Sequence, residues 1–551
     1  MRYSENKMEK GMTEKGKGFR LNASQSNCLF YGSLVLAALF VFLFVGSGEP
    51  VLLDDSGAYV RIDRIEGVMP VYPLFLLLNQ YLFGLENYLS VVIVEQAVIA
   101  ASCVILFVKT LKDEFHLHYW ETYLAFFLSL MPFTTDMPQS MATQQILTEG
   151  LSYALFYLFL VVLLKAVWTK KYAWFAGSLA IAFILAALRS QLQILFVVCG
   201  VIYIYIFCRR KRDVQIVNVW LRAFIGTAAG AGICLVGILA ISNLTVAYMN
   251  AIETNEKFSL FVMKVQLPED YEEYLLGEAE NEEDAADKAA EMETGEENEP
   301  SMEELSRQFV TSQYVSLVFS RGMYEAERRD EDLFDDEVVR GLYIALYETA
   351  DAEKKNYAYE QKGLWMWRDI VGGIGTVGKT CLWIPSQYYA EKYPDIVLSD
   401  DYSETRNAHL TLIGITLLKA HFGRFLYHTL MLLPQAFICT VFFQIKPIYL
   451  LCHLVTLFLY LSALILMVWG FVDKKTNEKC AEFMALVLGS NVVMAVVISM
   501  VFFGQQRYLV YNFGAFYIAY YLLLREFWNC HIYSRVKGRL AIKKGQNSKL
   551  I

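Results

Sequence analysis

Apolar residues along this chain gather into ten runs, at approximately 29–48, 87–108, 117–133, 148–168, 172–189, 191–208, 222–247, 448–470, 481–503 and 507–525. Each reaches or approaches the roughly 18 to 20 residues that a helix needs to cross a bilayer. The links KTLKDEFHLH, TKKY, RRKRDVQ and VDKKTNEK carry lysine and arginine, as do the N-terminus and the C-terminal RVKGRLAIKKGQ. Basic links of this kind stay on the cytoplasmic side of a membrane, which places all of them inside.

Two further apolar stretches do not read as crossings. Pro70–Gly84 (PVYPLFLLLNQYLFG) is short for a span, with a proline suited to a helix start and a glycine suited to its stop. It is expected along the outer face. Arg424–Phe443 (RFLYHTLMLLPQAFICTVFF) is long enough to cross, but one more crossing would put VDKK and the basic C-terminus outside. It reads as an interfacial or re-entrant helix on the outer side. The expected fold is therefore an all-α polytopic membrane protein with about ten spans, outer interfacial helices and a large extracytoplasmic insert.

The same pattern divides the chain. A cytoplasmic tail covers 1–28, and a membrane core covers 29–248 with a first outer loop at 49–86. An extracytoplasmic segment follows at 249–423, then the interfacial helix and the last spans at 424–525, then a basic tail at 526–551. The first run is longer than a signal-peptide core and is expected to stay as an anchor.

Composition agrees. Of the 551 residues, 56% are hydrophobic and 19% charged, more apolar and less charged than a soluble domain, which carries about 25% charge. The net charge of −9 hides an uneven spread: Pro268–Leu305 holds seventeen acids and one lysine, leaving the remainder at +7. That acidic stretch has too few apolar residues to build a core and reads as a flexible, solvated insert. No basic stripe with interleaved aromatics is present, which argues against nucleic acid as a partner. The cysteines are scattered singly, and His116 and His118 have no cysteine or third histidine at zinc-like spacing.

Gly373–Thr380 (GIGTVGKT) matches the phosphate-cradling G-x-x-x-x-G-K-[ST] pattern. That loop needs a buried strand before it and a sustained helix after it. Here Arg368 and Asp369 occupy the would-be strand and Pro385 follows soon after, so no nucleotide binding is expected. Glu95 and Gln96 sit inside the second run, where polar groups either hydrogen-bond between helices or serve a function.

Asp54 and Asp55 carry more information. They follow the first run within a few residues, in VLLDDSGAYVRID, with Arg61 and Arg64 close behind. Glu149 opens the fourth span on the outer side, Arg189 and Gln191 mark the outer turn between the fifth and sixth, and Arg507 and Tyr508 begin the last. Carboxylates and arginines from distant parts of the chain thus meet at one membrane face. A carboxylate at the interface is placed to take the proton of an attacking hydroxyl. Arginines hold a phosphate leaving group through bidentate, charge-assisted hydrogen bonds. One aspartate is expected to act on the acceptor and the other to bind a divalent ion or fix the loop; spacing does not order them.

The order of these segments resembles the prokaryotic glycosyltransferases of the dolichyl-phosphate-mannose protein mannosyltransferase type, which have the GT-C fold. An early span, an outer loop with DDSGAY and then GVMPVYPLFLLLNQYLFG is similar to the family's acidic pair followed by a surface helix. QQILTEGLSYALFYLFL, ALRSQLQ, LLKAHFGRFLYHTL and QQRYLVYNFGAFYI are similar to its later motifs in the same order. Val71 stands where the family commonly has glycine, Asn512 and Gly514 where it often has prolines, and 249–410 has no match. The resemblance implies transfer of one sugar from a polyprenyl-phosphate donor to a glycan, lipid or protein acceptor at the outer face of the plasma membrane, with inversion. Asp54 or Asp55 would be the base, with Arg61, Arg64, Arg189 and Arg507 at the donor phosphate. Tyr59, Tyr72, Glu149, Gln191 and Tyr508 would line the substrates. Some relatives use a divalent cation and others none, so a Mg or Mn ion on Asp54 and Asp55 is left open. The rivals are a polysaccharide polymerase using lipid-diphosphate oligosaccharides and a lipid or sugar transporter or flippase, which would place its charges near the bilayer midplane.

Overall fold

The computed structural model describes residues 23–45, 48–53, 56, 59, 69–135, 140–210, 219–254, 302, 306, 313–363, 365–399, 401–443, 448–473, 476–501 and 503–533. Nearly all of them are helical, and the isolated bridge between Val51 and Gln145 is the extended pairing among the described residues. In chain order the membrane part opens with α1 (Ala23–Leu39, continued by a π-turn to Val45), α2 (Val71–Phe83), α3 (Tyr88–Phe115) and α4 (Tyr119–Ser129). It continues with α5 (Thr148–Thr169), α6 (Tyr172–Leu188), α7 (Ile194–Arg210) and α8 (Val219–Thr254). A polar region follows, with α9 (Gln313–Tyr324), α10 (Glu337–Ala352), α11 (Met366–Lys392), α12 (Tyr402–Ala420) and α13 (Phe422–Val441). The chain then returns to apolar helices α14 (Tyr449–Val472), α15 (Glu478–Val501) and α16 (Phe513–Phe527).

Among the described residues, seven helices are long and apolar enough to cross a membrane: α1, α3, α5, α7 with its leading turn, α8, α14 and α15. The chain is thus a multi-pass, all-α membrane protein. The three further runs expected to span form shorter helices, each for a visible reason. Pro132 ends α4 in a 3-10 turn, α6 stops after seventeen residues at an extended Arg189, and the last run is broken into short turns over Gln506–Asn512 before α16 begins. α5 is the central helix, with most of its apolar stretch enclosed, whereas α8 and α14 leave most of theirs exposed.

α2 starts after Pro70 and ends at Gly84, whose φ of +78° is a conformation that glycine tolerates. One face packs on α3 through Tyr72, Leu76 and Leu77, and the other leaves Leu78, Tyr81 and Leu82 exposed. His116 and His118 terminate α3 and cap α4, structural tasks at the two sides of a tight turn.

The polar region has its own core, built from Phe319, Leu342, Tyr343, Leu346, Tyr389, Ile413 and neighbours. α10 is an ordinary amphipathic helix, apolar inward and acidic outward, capped by Asp336. α13 is apolar on both sides. It buries Phe425, Leu432, Ala436 and Ile438 together with His428, Thr429 and Gln435, and it exposes Phe422, Leu426 and Leu430, three positions on one helical stripe. Its last turns lie beside Gly504 and Gln506, where α15 has ended, and beside Tyr449, where α14 begins. These mark one end of the α14–α15 hairpin.

Gly373–Thr380 lies inside α11, which runs continuously to Lys392 through Pro385. The expectation that Pro385 breaks this segment is therefore corrected: packing against α9 and α10 holds both halves in line. Backbone amides used along a helix are not turned inward to cradle a phosphate.

Candidate functional site

Glu149 is the second residue of α5 and is buried. The free amides at a helix start favour a negative charge there. Arg189 terminates α6 with extended backbone, which turns its side chain back across the end of α5. Its Nη1 lies 2.6 Å from Glu149 Oε1, with both side chains almost wholly buried. Thr148 Oγ1 donates to the other carboxylate oxygen at 3.2 Å.

The guanidinium of Arg189 lies over the ring of Tyr508, 4.9 Å from its centroid, and that of Arg507 lies 5.0 Å from the same ring. Arg507 donates to Gln505 Oε1 at 3.2 Å and to the Tyr508 hydroxyl at 3.1 Å. Two guanidinium groups, one of them paired with Glu149, thus share one tyrosine ring. The break in the last run creates this arrangement. Tyr508 and Tyr511 are three residues apart in the short turns before α16, and Tyr511 reaches Ser152 at 3.1 Å and accepts from Gln191 Nε2 at 3.4 Å. Tyr153 ties α5 to the same turn by donating to the Arg507 carbonyl at 3.0 Å.

The loop before α5 brings in the first loop of the chain. Val51 N–H donates to Gln144 O and Ile146 N–H to Val51 O, both at 3.0 Å. Gln96 holds that loop from below, its Nε2 donating to the carbonyls of Thr143 and Gln145 at 3.2 Å each. Tyr72 donates to Gln96 Oε1 at 3.4 Å, and Tyr59 packs edge-on against Tyr72 at 5.2 Å. Glu95, its neighbour, accepts from Asn79 of α2 at 2.9 Å. Both intramembrane polar residues therefore join helices and loops.

Of the residues singled out in the sequence, Glu149, Arg189, Arg507 and Tyr508 meet directly, with Gln191 beside them through Tyr511. Tyr59 and Tyr72 form a pair on the first-loop side, and Tyr59 lies within electrostatic range of Arg189. Asp54, Asp55, Arg61 and Arg64 lie outside the described residues; the described Leu53 and Ser56 flank the aspartates, with the Leu53 N–H bonded to Ser56 Oγ at 2.9 Å. Sequence reasoning missed Ser152, Tyr153 and Tyr511. The three-residue spacing of Tyr508 and Tyr511, which puts both on one face of a helical turn, was a usable signal for the last.

A small cleft of about 10 Å³ opens from this cluster between α7 and α15, lined by Gln191, Ile194, Met494, Val497, Ile498 and Tyr508. Its walls are apolar and its end is polar. Among the described residues no three histidine, cysteine or acidic side chains gather to hold a metal ion; the acidic pair at Asp54 and Asp55 is not among them. No protein-family model, curated protein or solved structure matches the chain.

Proposed function

We propose that this protein is a plasma-membrane glycosyltransferase of the GT-C type, moving one sugar from a polyprenyl-phosphate donor to an acceptor at the outer face, with inversion. The observation that carries the reading is the Arg189–Tyr508–Arg507 stack at the polar end of an apolar cleft. An amphiphile with a phosphate head and an aliphatic chain has the matching polarity. The acceptor oxygen attacks the anomeric carbon as the bond from that carbon to the phosphate oxygen breaks. Asp54 or Asp55 takes the acceptor's hydroxyl proton, and the departing phosphate carries the bonding electrons into the arginine pair. Glu149 holds Arg189 in place, and the pairing of Val51 with Gln145, in the loop just before α5, supports a role for the first loop beside it.

The test is release of free polyprenyl phosphate, followed by mass spectrometry, from purified protein given polyprenyl-phosphate sugars and a native membrane extract as acceptor. Wild-type release that is lost in Asp54→Asn or Asp55→Asn is the expected outcome and identifies the base. No release from any monophosphate donor would sink the proposal. Repeating the assay with EDTA decides whether a Mg or Mn ion takes part.

A further inference from the structure

Well away in sequence from the residues above, the polar region contains a buried ionic cluster. His428 of α13 is 1% exposed. Its Nδ1 lies 2.7 Å from Glu325 Oε1 and its Nε2 lies 3.1 Å from Glu360 Oε2. Glu325 follows the end of α9, and Glu360 sits in the turn that leads into α11. A neutral imidazole has one N–H and one lone pair, so it cannot donate to two carboxylates; the imidazolium can.

The surrounding charges can be followed element by element. From α13 itself, Arg424 binds Glu325 Oε2 at 3.2 Å and Glu327 Oε1 at 2.9 Å, and its guanidinium lies over the Tyr357 ring. From α9, Tyr324 donates to Glu360 Oε2 at 3.2 Å, and Arg321 acts on Glu325 from behind while bonding Thr429 at 3.1 Å. From α11, Asp369 acts on Tyr324. Tyr427 flanks the imidazole on its own helix, and the nearby His421 is paired separately with Asp330 at 2.7 Å. Burial alone would drive the imidazole neutral, but its hydrogen bonds to Glu325 and Glu360 prevail and hold its pKa above the usual histidine range.

We propose that His428 is a pH-dependent clasp: while doubly protonated it ties α9 and the turn before α11 to α13, and its deprotonation releases that turn. The released proton goes to water. The shorter bond, to Glu325, is kept by the neutral tautomer, and Glu325 also keeps Arg424. Glu360 then faces a lone pair at Nε2. The sign follows from the raised pKa: the stabilisation is complete below about 6.5, the unfolded histidine value, and is lost as pH rises through the higher folded value.

The experiment is hydrogen–deuterium exchange on the full-length protein in lipid nanodiscs between about pH 6 and pH 10, corrected for the intrinsic chemical rate. Expected is a several-fold loss of protection in peptides over 353–363 as the pH rises, with α12 unchanged. In Glu360→Gln the transition moves to lower pH, because one of the two carboxylates that hold the proton is gone. A flat wild-type profile over 353–363, or a Glu360→Gln midpoint equal to that of wild type, overturns the proposal. If Glu360→Gln does not fold, Tyr324→Phe replaces it; removing the second donor to Glu360 should shift the midpoint upward, and an unchanged midpoint counts against the clasp.

Discussion

Replacing Glu149 or Arg189 by methionine removes one member of a buried ion pair and leaves the other. At 2.6 Å the attraction is about 6 kcal/mol with an effective dielectric constant near 20. Desolvation of both groups offsets most of that in the intact protein, so the pair as a whole contributes little net stability. The single substitutions meet a different situation. Each strands a charge that is shielded from water, and the expected loss is about 3–5 kcal/mol for either one. The Glu149→Met/Arg189→Met double variant strands nothing and should recover at least about 2 kcal/mol relative to the sum of the singles. Unfolding free energies in mixed micelles, read by tryptophan fluorescence, complete the double-mutant cycle. Single losses below about 1 kcal/mol, the range of exposed pairs, would refute the reasoning. So would additive losses, because they would mean the two side chains do not act on each other.

Three further outcomes are expected. In α11, Gly375→Ala should stabilise by about 0.5–1 kcal/mol, because nothing lies within 4 Å of the added methyl and alanine favours the helix. Gly373→Ala, two residues earlier, should destabilise by about 1–3 kcal/mol because its methyl would run into the Lys355 carbonyl and the Tyr324 ring; thermal denaturation of the two variants separates these signs. Arg525→Met strips the buried Glu121 of a pair held at 3.1 Å and should cost about 3–5 kcal/mol, whereas Arg328→Met, whose partner Glu348 is 3.9 Å away and exposed, should change stability by less than about 1 kcal/mol in the same assay. Burial acts to raise the pKa of Glu327, but hydrogen bonds from Tyr357 and Arg424 prevail and depress it. Stability from that carboxylate is present above about 4.3 and lost as pH falls through its folded value, so Glu327→Gln should flatten the acid side of an unfolding profile recorded from about pH 3 to pH 6.

The membrane helices were legible because their signal is local: an uninterrupted apolar run long enough to span needs no knowledge of neighbours. α2 was legible for a similar reason, through its proline start and glycine stop. The convergence of Glu149, Arg189 and Arg507 could be read because each stands at the end of an apolar run, and ends of runs share a membrane face. Their actual contacts could not, since the ion pair depends on how α6 turns back over α5. Tyr153 and Ser152 look like ordinary members of a hydrophobic helix until Arg507 and Tyr511 are placed beside them. The clasp of Glu325, Glu360 and His428 left no trace in the sequence. Its members are separated by dozens of residues, and nothing local marks a carboxylate that will be buried. The first loop gave its chemistry by residue type alone, and Asp54 and Asp55 are placed only as far as their neighbours Leu53 and Ser56.

The exposed apolar side of α13 bears on how the protein is handled once it leaves the membrane. Its apolar stripe of Phe422, Leu426 and Leu430 is exposed on a helix that packs against α14 and α15 but is not itself one of the long apolar helices among the described residues. An amphiphile that coats only a regular ring around those helices leaves this stripe wet. The coat must instead be lopsided, with a tongue climbing one side of the particle. Short-chain detergents that form tight, round micelles should therefore strip α13 first and give particles that stick to one another through it. Longer-chain detergents or a lipid disc, able to deform along the stripe, should keep them apart.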